Sequence, residues 1–339
     1  MTDNTPPSFG IVGAGSVGVN AAYDLIRAGA KVTFLVRPHR REQLSRPQVM
    51  YSYETRTLDR FSGYDVLTDP AELSNQQFDF LIVTLDNASL RAEAGLRLVR
   101  EIGRAFRGTN TGVILAAVGI EVRSWFIAES GLSEEQVAMG NTGALIHEVA
   151  AANLPVDPSV DADLLARADY AFKHLGPAGF TIDDSSPKLA EAFTAAYSGD
   201  DIPAAAIGAA PETAIGVAGL APILAWGLLG WQPLENVDAS GEVWQLGVAC
   251  MREIQQLGVF GPTGRAAAEQ TTPEGVLGMF RQMAQLSEPL DFAAFNAYHH
   301  GGKVNQQDLD FLDDARRRAD AEGTDVPALR ELISRLRDA

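Results

Sequence analysis

The chain has 339 residues, long for one domain, and its 46% hydrophobic and 21% charged content is that of an ordinary water-soluble folded protein. A net charge of −17 sets it against nucleic acid and anionic membrane surfaces, so any phosphate-bearing ligand needs a local positive site. The single cysteine, Cys250, excludes an internal disulfide and a multi-cysteine metal site, and its helical surroundings predict a buried thiol; no metal is expected.

The opening MTDNTPPS has neither a basic nor an apolar stretch and predicts a short tail rather than a secretory leader, with a cytoplasmic location to match. FGIV (9–12) predicts a buried strand, followed by a glycine turn and a helix through VNAAYDLIRAG that stops at Gly29. KVTFLV, DFLIVTL and GVILAAV predict further strands. Such continuous apolar runs belong to parallel sheets covered on both faces. VAMGNTGAL predicts another strand, and YAFKHLGPAGFTI a strand or hairpin closing the first domain. Beyond about residue 206 helical patterns take over, at 210–230, 239–257, 273–286, 305–322 and 327–338. The expected organisation is an α/β Rossmann-type domain over 1–206 and an all-helical domain, for substrate and dimerisation, over 207–339. Between Ile202 and Leu234 the only charge is Glu212. Pro222, several glycines and acidic flanks make this a buried core helix rather than a membrane span.

Gly13-Ala14-Gly15-Ser16-Val17-Gly18 is a G-x-G-x-x-G between a predicted strand and a predicted helix, the context that gives this spacing its meaning. Gly13 permits the turn, Gly15 admits a pyrophosphate, and Gly18 lets helix and strand approach. The helix N-terminus supplies N–H donors, including those of Ser16 and Val17. Where an NAD site places an acid after the second strand, this chain has Arg37, with Arg40 and Arg41 close behind. A guanidinium fork suits the 2′-phosphate of NADP(H).

In these elements the chain resembles the ketopantoate reductase (2-dehydropantoate 2-reductase) family. The elements are GAGSVG, the Arg of TFLVR, DFLIVTL, MGNTGA, HLGP at 174–177, and the spacing Ala319, Gly323, Pro327. The resemblance implies a Rossmann-type domain plus a helical domain, arranged as in 6-phosphogluconate dehydrogenase. It also implies NADPH, a small-molecule substrate between the domains, and a possible homodimer. It places Leu85, Asp86, Val118 and Gly119 beside the cofactor. Several of the family's polar positions are changed. Its lysine after the DFLIVTL strand is Asp86, its Asn-Gly is Val118-Gly119, and its catalytic lysine and asparagine fall at Thr213 and Val217. Its serine falls at Ala294 and its acid at Gln306. A pocket with Val118, Val217 and Ala294 suits an apolar substrate and leaves a small 2-oxo acid's carboxylate unpaired.

Hydride transfer to a carbonyl needs a donor at the developing alkoxide. Lysine occurs only at 31, 173, 188 and 303, and histidine only at 39, 147, 174, 299 and 300. The candidates are therefore Lys303, His299, His300 and Tyr298, with His147, and Glu212 and Thr213 where the family's lysine helix begins. Against a catalytic role, YHHGGKVNQQD also reads as a helix end, with Gly301-Gly302 as the stop and Asn305 with Asp308 as a capping box. The expected activity is NADPH-dependent reduction of a C=O or C=N group in a relatively apolar substrate other than ketopantoate. Two readings stand beside it: an NADP-binding sensor or scaffold without catalysis, and a true 2-dehydropantoate 2-reductase.

Overall fold

Residues 5–338 are described by a computed structural model; Met1–Asn4 of the predicted tail and Ala339 lie outside the described residues. The chain divides into two compact units. One comprises residues up to Ala117, Glu121–Ala151 and Ser159–Ala210; the other comprises Val118–Ile120, Ala152–Pro158 and Pro211 onward.

The first unit is built on an eight-stranded sheet in the order β12-β11-β8-β7-β6-β1-β2-β5. Its strands are β1 (Ser8–Val12), β2 (Lys31–Leu35), β5 (Asp65–Leu67), β6 (Phe80–Val83), β7 (Gly112–Leu115), β8 (Val137–Thr142), β11 (Phe180–Asp183) and β12 (Ala205–Gly208). From β5 to β8 every neighbour is parallel; β11 turns antiparallel to β8, and β12 follows β11 in parallel. The apolar runs behave as their composition demands. Phe9, Ile11, Leu81, Ile82, Val113 and Ile114 are fully buried because helices cover both faces. The chain reverses its direction of strand addition at β1, with β2 on one side and β6 on the other. In open α/β sheets a ligand binds at such a switch point, outside the carboxyl ends of the strands.

A second, four-stranded sheet in the same unit has the order β4-β3-β10-β9, from β3 (Gln48–Ser52), β4 (Thr57–Phe61), β9 (Ala144–Glu148) and β10 (Tyr170–His174). It corrects the sequence expectation for YAFKHLGPAGFTI. That stretch is neither one strand nor a hairpin. Its first half pairs with β3 and β9, its second half with β8 and β12, and GPAG is the crossing between two sheets. A strand signal says nothing about its partner, so the period alone misassigned the pairing.

The second unit is helical, with helices at Ala210–Gly216, Leu220–Leu228, Glu242–Gln255, Gly261–Gln270, Pro273–Ser287, Phe292–Tyr298, Asn305–Glu322 and Pro327–Asp338. The helix at 261–270 was not anticipated, and the one at 292–298 only by its end. The apolar stretch Ala210–Leu228 is long and apolar enough to cross a membrane by composition, but a short 3-10 turn, Val217–Gly219, interrupts it. Its residues Ala218, Ala221, Leu224 and Ala225 lie in the core of this unit, with Cys250, Ile254, Leu312 and Leu329. Gly247 is the contact point. A Cβ there would lie 2.5 Å from the Ala225 methyl and 3.0 Å from Pro222, so the two central helices touch along their backbones.

Candidate active site

In the first unit the glycine motif has the geometry a phosphate requires. Gly13 sits at φ +101°, and its N–H is held by the Leu35 carbonyl at 3.0 Å. A Cβ on Gly18 would lie 2.3 Å from the Gly13 carbonyl, so helix α1 (Ser16–Arg27) can meet the turn only through glycine. A Cβ on Gly15 would meet nothing within 4 Å, which marks the open side of the turn. Helix α1 carries no side-chain cap and no acid in its first turn, and Arg27 lies in its last. Its first N–H groups, from Ser16 and Val17 onward, and its dipole are thus aimed at a site that suits an anion. These residues fit the pyrophosphate of a dinucleotide. Thr84, which follows β6, escaped the sequence reading. Its hydroxyl donates to Val12 O at 3.0 Å and buttresses the turn from below.

The two arginines after β2 are placed differently. Arg37 is exposed at the start of a short turn, Pro38–Arg40. Arg40 folds back, and its Nη2 donates to the Ala14 carbonyl at 2.6 Å and to the Tyr170 hydroxyl at 3.3 Å. It braces the glycine turn, where the sequence suggested a direct nucleotide ligand. Leu85 packs near Gly13. The Asp86 carboxylate caps the Asn87–Arg91 helix, accepting from Ser89 N at 2.7 Å and Ser89 Oγ at 2.6 Å. Val118 and Gly119 belong to the second unit, where Val118 packs against the helical core.

His147 and Asp24 are buried elsewhere in this unit. His147, on β9, is 1% exposed, with Nε2 3.0 Å from the Tyr53 hydroxyl, so it is a packing residue of the smaller sheet. On the buried side of α1, Asp24 accepts the Tyr197 hydroxyl at 2.7 Å, and burial pushes its carboxyl up to about 6.

In the helical unit the stretch from Tyr298 onward overturns the capping-box expectation. The Phe292–Tyr298 helix does not stop at the glycine pair. It widens into a π turn, His299–Lys303, closed by Val304 N donating to His299 O at 2.8 Å. Neither Gly301 nor Gly302 takes a positive φ. Asn305 is the first residue of the next helix, and its amide donates to His300 O at 3.1 Å. Asp308 is not a cap. It is 1% exposed, and its Oδ2 lies 2.7 Å from His300 Nδ1. Wide turns of this kind recur at functional sites because they aim side chains that a regular helix would not bring together.

The π turn sorts the candidates. His299 stacks on Phe295 at 5.5 Å with its Nδ1 buried. Burial first, then the positive charges of His300 and Lys303, hold its pKa down to about 3. It is therefore neutral at physiological pH and has no proton of its own to give as an acid. His300 lies edge-on to His299 at 4.8 Å. With Asp308 ionised the carboxylate only accepts, and His300 Nδ1 then carries the hydrogen and leaves Nε2 for proton exchange. Burial pushes the Asp308 carboxyl up, while His300 opposes that shift. Tyr298 is half-buried and Lys303 exposed. Gln306, at the family's acid position, is exposed, and its amide donates to Asp310 at 2.9 Å. Glu212 is exposed and Thr213 half-buried on the Ala210–Gly216 helix.

Beside the π turn lies a cavity of about 550 Å³ within the helical unit, with Trp231, Phe292, Ala294 and Ala297 among its walls. Ala294 is a wall residue of this cavity, whereas Val217 packs partly against the helical core.

Residues 9–102 match the model of the family described as ketopantoate reductase PanE/ApbA. No protein of curated function matches the sequence. Solved structures share the fold over nearly the whole chain. A PanE/ApbA family ketopantoate reductase from Ralstonia eutropha JMP134 is 18% identical, with a TM-score of 0.62 and 97% of each chain covered. A dimeric ketopantoate reductase from Staphylococcus aureus is 14% identical, with a TM-score of 0.59, covering 98% of this chain and 100% of that one. D-mandelate dehydrogenase, solved with NADH and anilino(oxo)acetate, is 13% identical, with a TM-score of 0.61, covering 98% of this chain and 97% of that one.

Proposed function

We propose that this chain, whose residues 9–102 match the ketopantoate reductase family model and whose fold is shared by solved structures of that family, is an NADP-dependent oxidoreductase. It reduces a C=O or C=N group in a relatively apolar substrate, with His300 as proton donor and Asp308 as its positioning partner. The observation that carries this reading is the buried Asp308 carboxylate 2.7 Å from His300 Nδ1.

NADPH, when bound, supplies the hydride. The open face at Gly15, the first N–H groups of α1 and the exposed guanidinium of Arg37 are the groups that fit its pyrophosphate and 2′-phosphate. As the substrate oxygen or nitrogen gains charge, His300 Nε2 gives its proton. The Asp308 carboxylate holds the ring in the productive tautomer and stabilises its charged form. His299 stays neutral beside it. The D-mandelate dehydrogenase of similar fold, solved with anilino(oxo)acetate, supports an aromatic substrate. Homodimerisation is proposed on the same footing, the Staphylococcus aureus enzyme being dimeric.

NADPH oxidation on a panel of ketones, imines and 2-oxo acids tests the reading. Turnover is expected on an apolar ketone or imine. His300→Gln should lower kcat by about 10²- to 10⁴-fold with NADPH affinity kept. Asp308→Asn should lower it less, and His299→Gln least. Turnover of ketopantoate at ordinary enzymatic rates would make the chain a true 2-dehydropantoate 2-reductase. Tight NADPH binding with no turnover on the panel would make it a sensor or scaffold.

A further inference from the structure

The cavity in the helical unit has a chemistry that hydride transfer does not explain. Its deep wall is an aromatic cluster. Trp226 is fully buried, stacks on Phe292 at 5.8 Å and meets Trp231 edge-on at 5.2 Å. Trp226 is locked by its Nε1, which donates to Gln232 O at 2.8 Å. Trp231 is half-buried, and its backbone lies at φ +55°, a conformation that aromatic residues rarely adopt. The fold holds that strain to keep the indole on the cavity, against Gly301 of the π turn; a Cβ on Gly301 would lie 3.0 Å from the indole nitrogen.

The rim has one sign of charge. Glu235, Glu288 and Asp291 line the cavity, and no lysine, arginine or histidine does. Asp291 is committed to capping the Phe292–Tyr298 helix, where it accepts from Ala294 N at 2.9 Å. Glu235 and Glu288 are exposed and form no ion pair with any basic side chain among the described residues. A carboxylate-bearing ligand would meet three like charges over largely apolar walls. An organic cation meets the reverse. Its charge finds two unpaired carboxylates, and its body finds the faces of aromatic rings, which attract cations through their quadrupole.

We propose that this cavity binds an organic cation, an aryl- or alkylammonium group whose apolar body lies on Trp231 and Phe292 and whose charge faces Glu235 and Glu288. Ala297 forms part of the wall, and Tyr298, His299 and His300 follow it directly in the chain. The cation is therefore the remote part of the molecule being reduced, an assignment that rests on the reading of His300 as the donor. The substrate class becomes an amino-bearing or quaternary-ammonium ketone or imine, in place of the anionic 2-oxo acids.

Isothermal titration of the full chain with phenethylammonium and with 3-phenylpropionate, similar in body and opposite in charge, tests the cavity without any turnover. Phenethylammonium should bind and 3-phenylpropionate should not. The exposed double variant Glu235→Gln/Glu288→Gln should weaken phenethylammonium at least tenfold, and Trp231→Leu should do the same. Equal binding of both probes, no binding of the cation, or a double variant with unchanged affinity would overturn the proposal. Loss of the donor reading, seen as full turnover in His300→Gln, would leave the binding result standing, so the two failures are distinguishable.

Discussion

The glycine turn of the first unit and the π turn of the second are both short, glycine-containing connections next to a helix, yet their glycines do opposite things. In the first, Gly13 and Gly18 are required by geometry, one by a positive φ and one by a backbone carbonyl 2.3 Å from where a Cβ would be. In the second, Gly301 and Gly302 keep negative φ and do not end the helix. What matters there is the widened turn that lets His300 reach Asp308, eight residues on. A glycine motif announces itself when the backbone needs the glycine. It misleads when the glycine answers to a neighbouring side chain instead, as Gly301 does to the Trp231 indole.

The sharpest way to break this contrast is Gly18→Ala. The obstructing atom is backbone and cannot swing away, so cofactor affinity should fall about 100-fold and Tm should drop with it. Gly15→Ala should lose cofactor affinity with Tm unchanged, because its Cβ meets no protein atom. Matching Tm losses in the two variants would show that the turn is a structural device without a ligand.

A smaller effect separates the two arginines. Arg37→Ala should raise the NADPH Kd by about 10- to 100-fold, the scale of lost charge-assisted hydrogen bonds, and leave NADH nearly unchanged. Arg40→Ala should weaken both cofactors by one and the same smaller factor, because Arg40 braces the Ala14 carbonyl. If the two variants discriminate between NADPH and NADH equally, that division of labour is wrong.

A different kind of effect is the pH dependence of stability behind α1. The Asp24 carboxyl titrates near 6 when folded, above its unfolded value of about 4. The folded state therefore holds that proton more tightly. Its contribution to stability is full below about pH 4 and is lost as pH rises through about 6, a change on the order of 3 kcal/mol. Asp24→Asn removes this dependence, so the variant should gain in Tm relative to the parent between pH 4 and pH 7. Parallel Tm curves would mean that Asp24 is solvated in a way its burial does not suggest.

How far the sequence reaches differs between the units. The buried strands, the cofactor turn and the long helices are legible because each is written in a local period or spacing: apolar runs, G-x-G-x-x-G, and the 3.6-residue repeat. The second sheet was missed because Gln48–Ser52 and Thr57–Phe61 are a short hairpin with a largely polar outer strand, and because the partner of β10 lies more than a hundred residues away. Asp308 was visible but misread, since N-x-x-D is as good a capping pattern as it is half of an Asp–His pair.

The sequence by itself determined the parallel sheet, the dinucleotide turn and the helical second unit, because backbone sterics and hydrophobic periodicity act over a few residues and leave their mark there. Only the tertiary structure decided that Arg40 braces the turn, that His147 is packed against Tyr53, that the chain widens after Tyr298, and that a buried carboxylate waits for His300. Those outcomes depend on which side chains meet across long stretches of chain and how far water is excluded from them, and neither burial nor a distant partner has a local period to read.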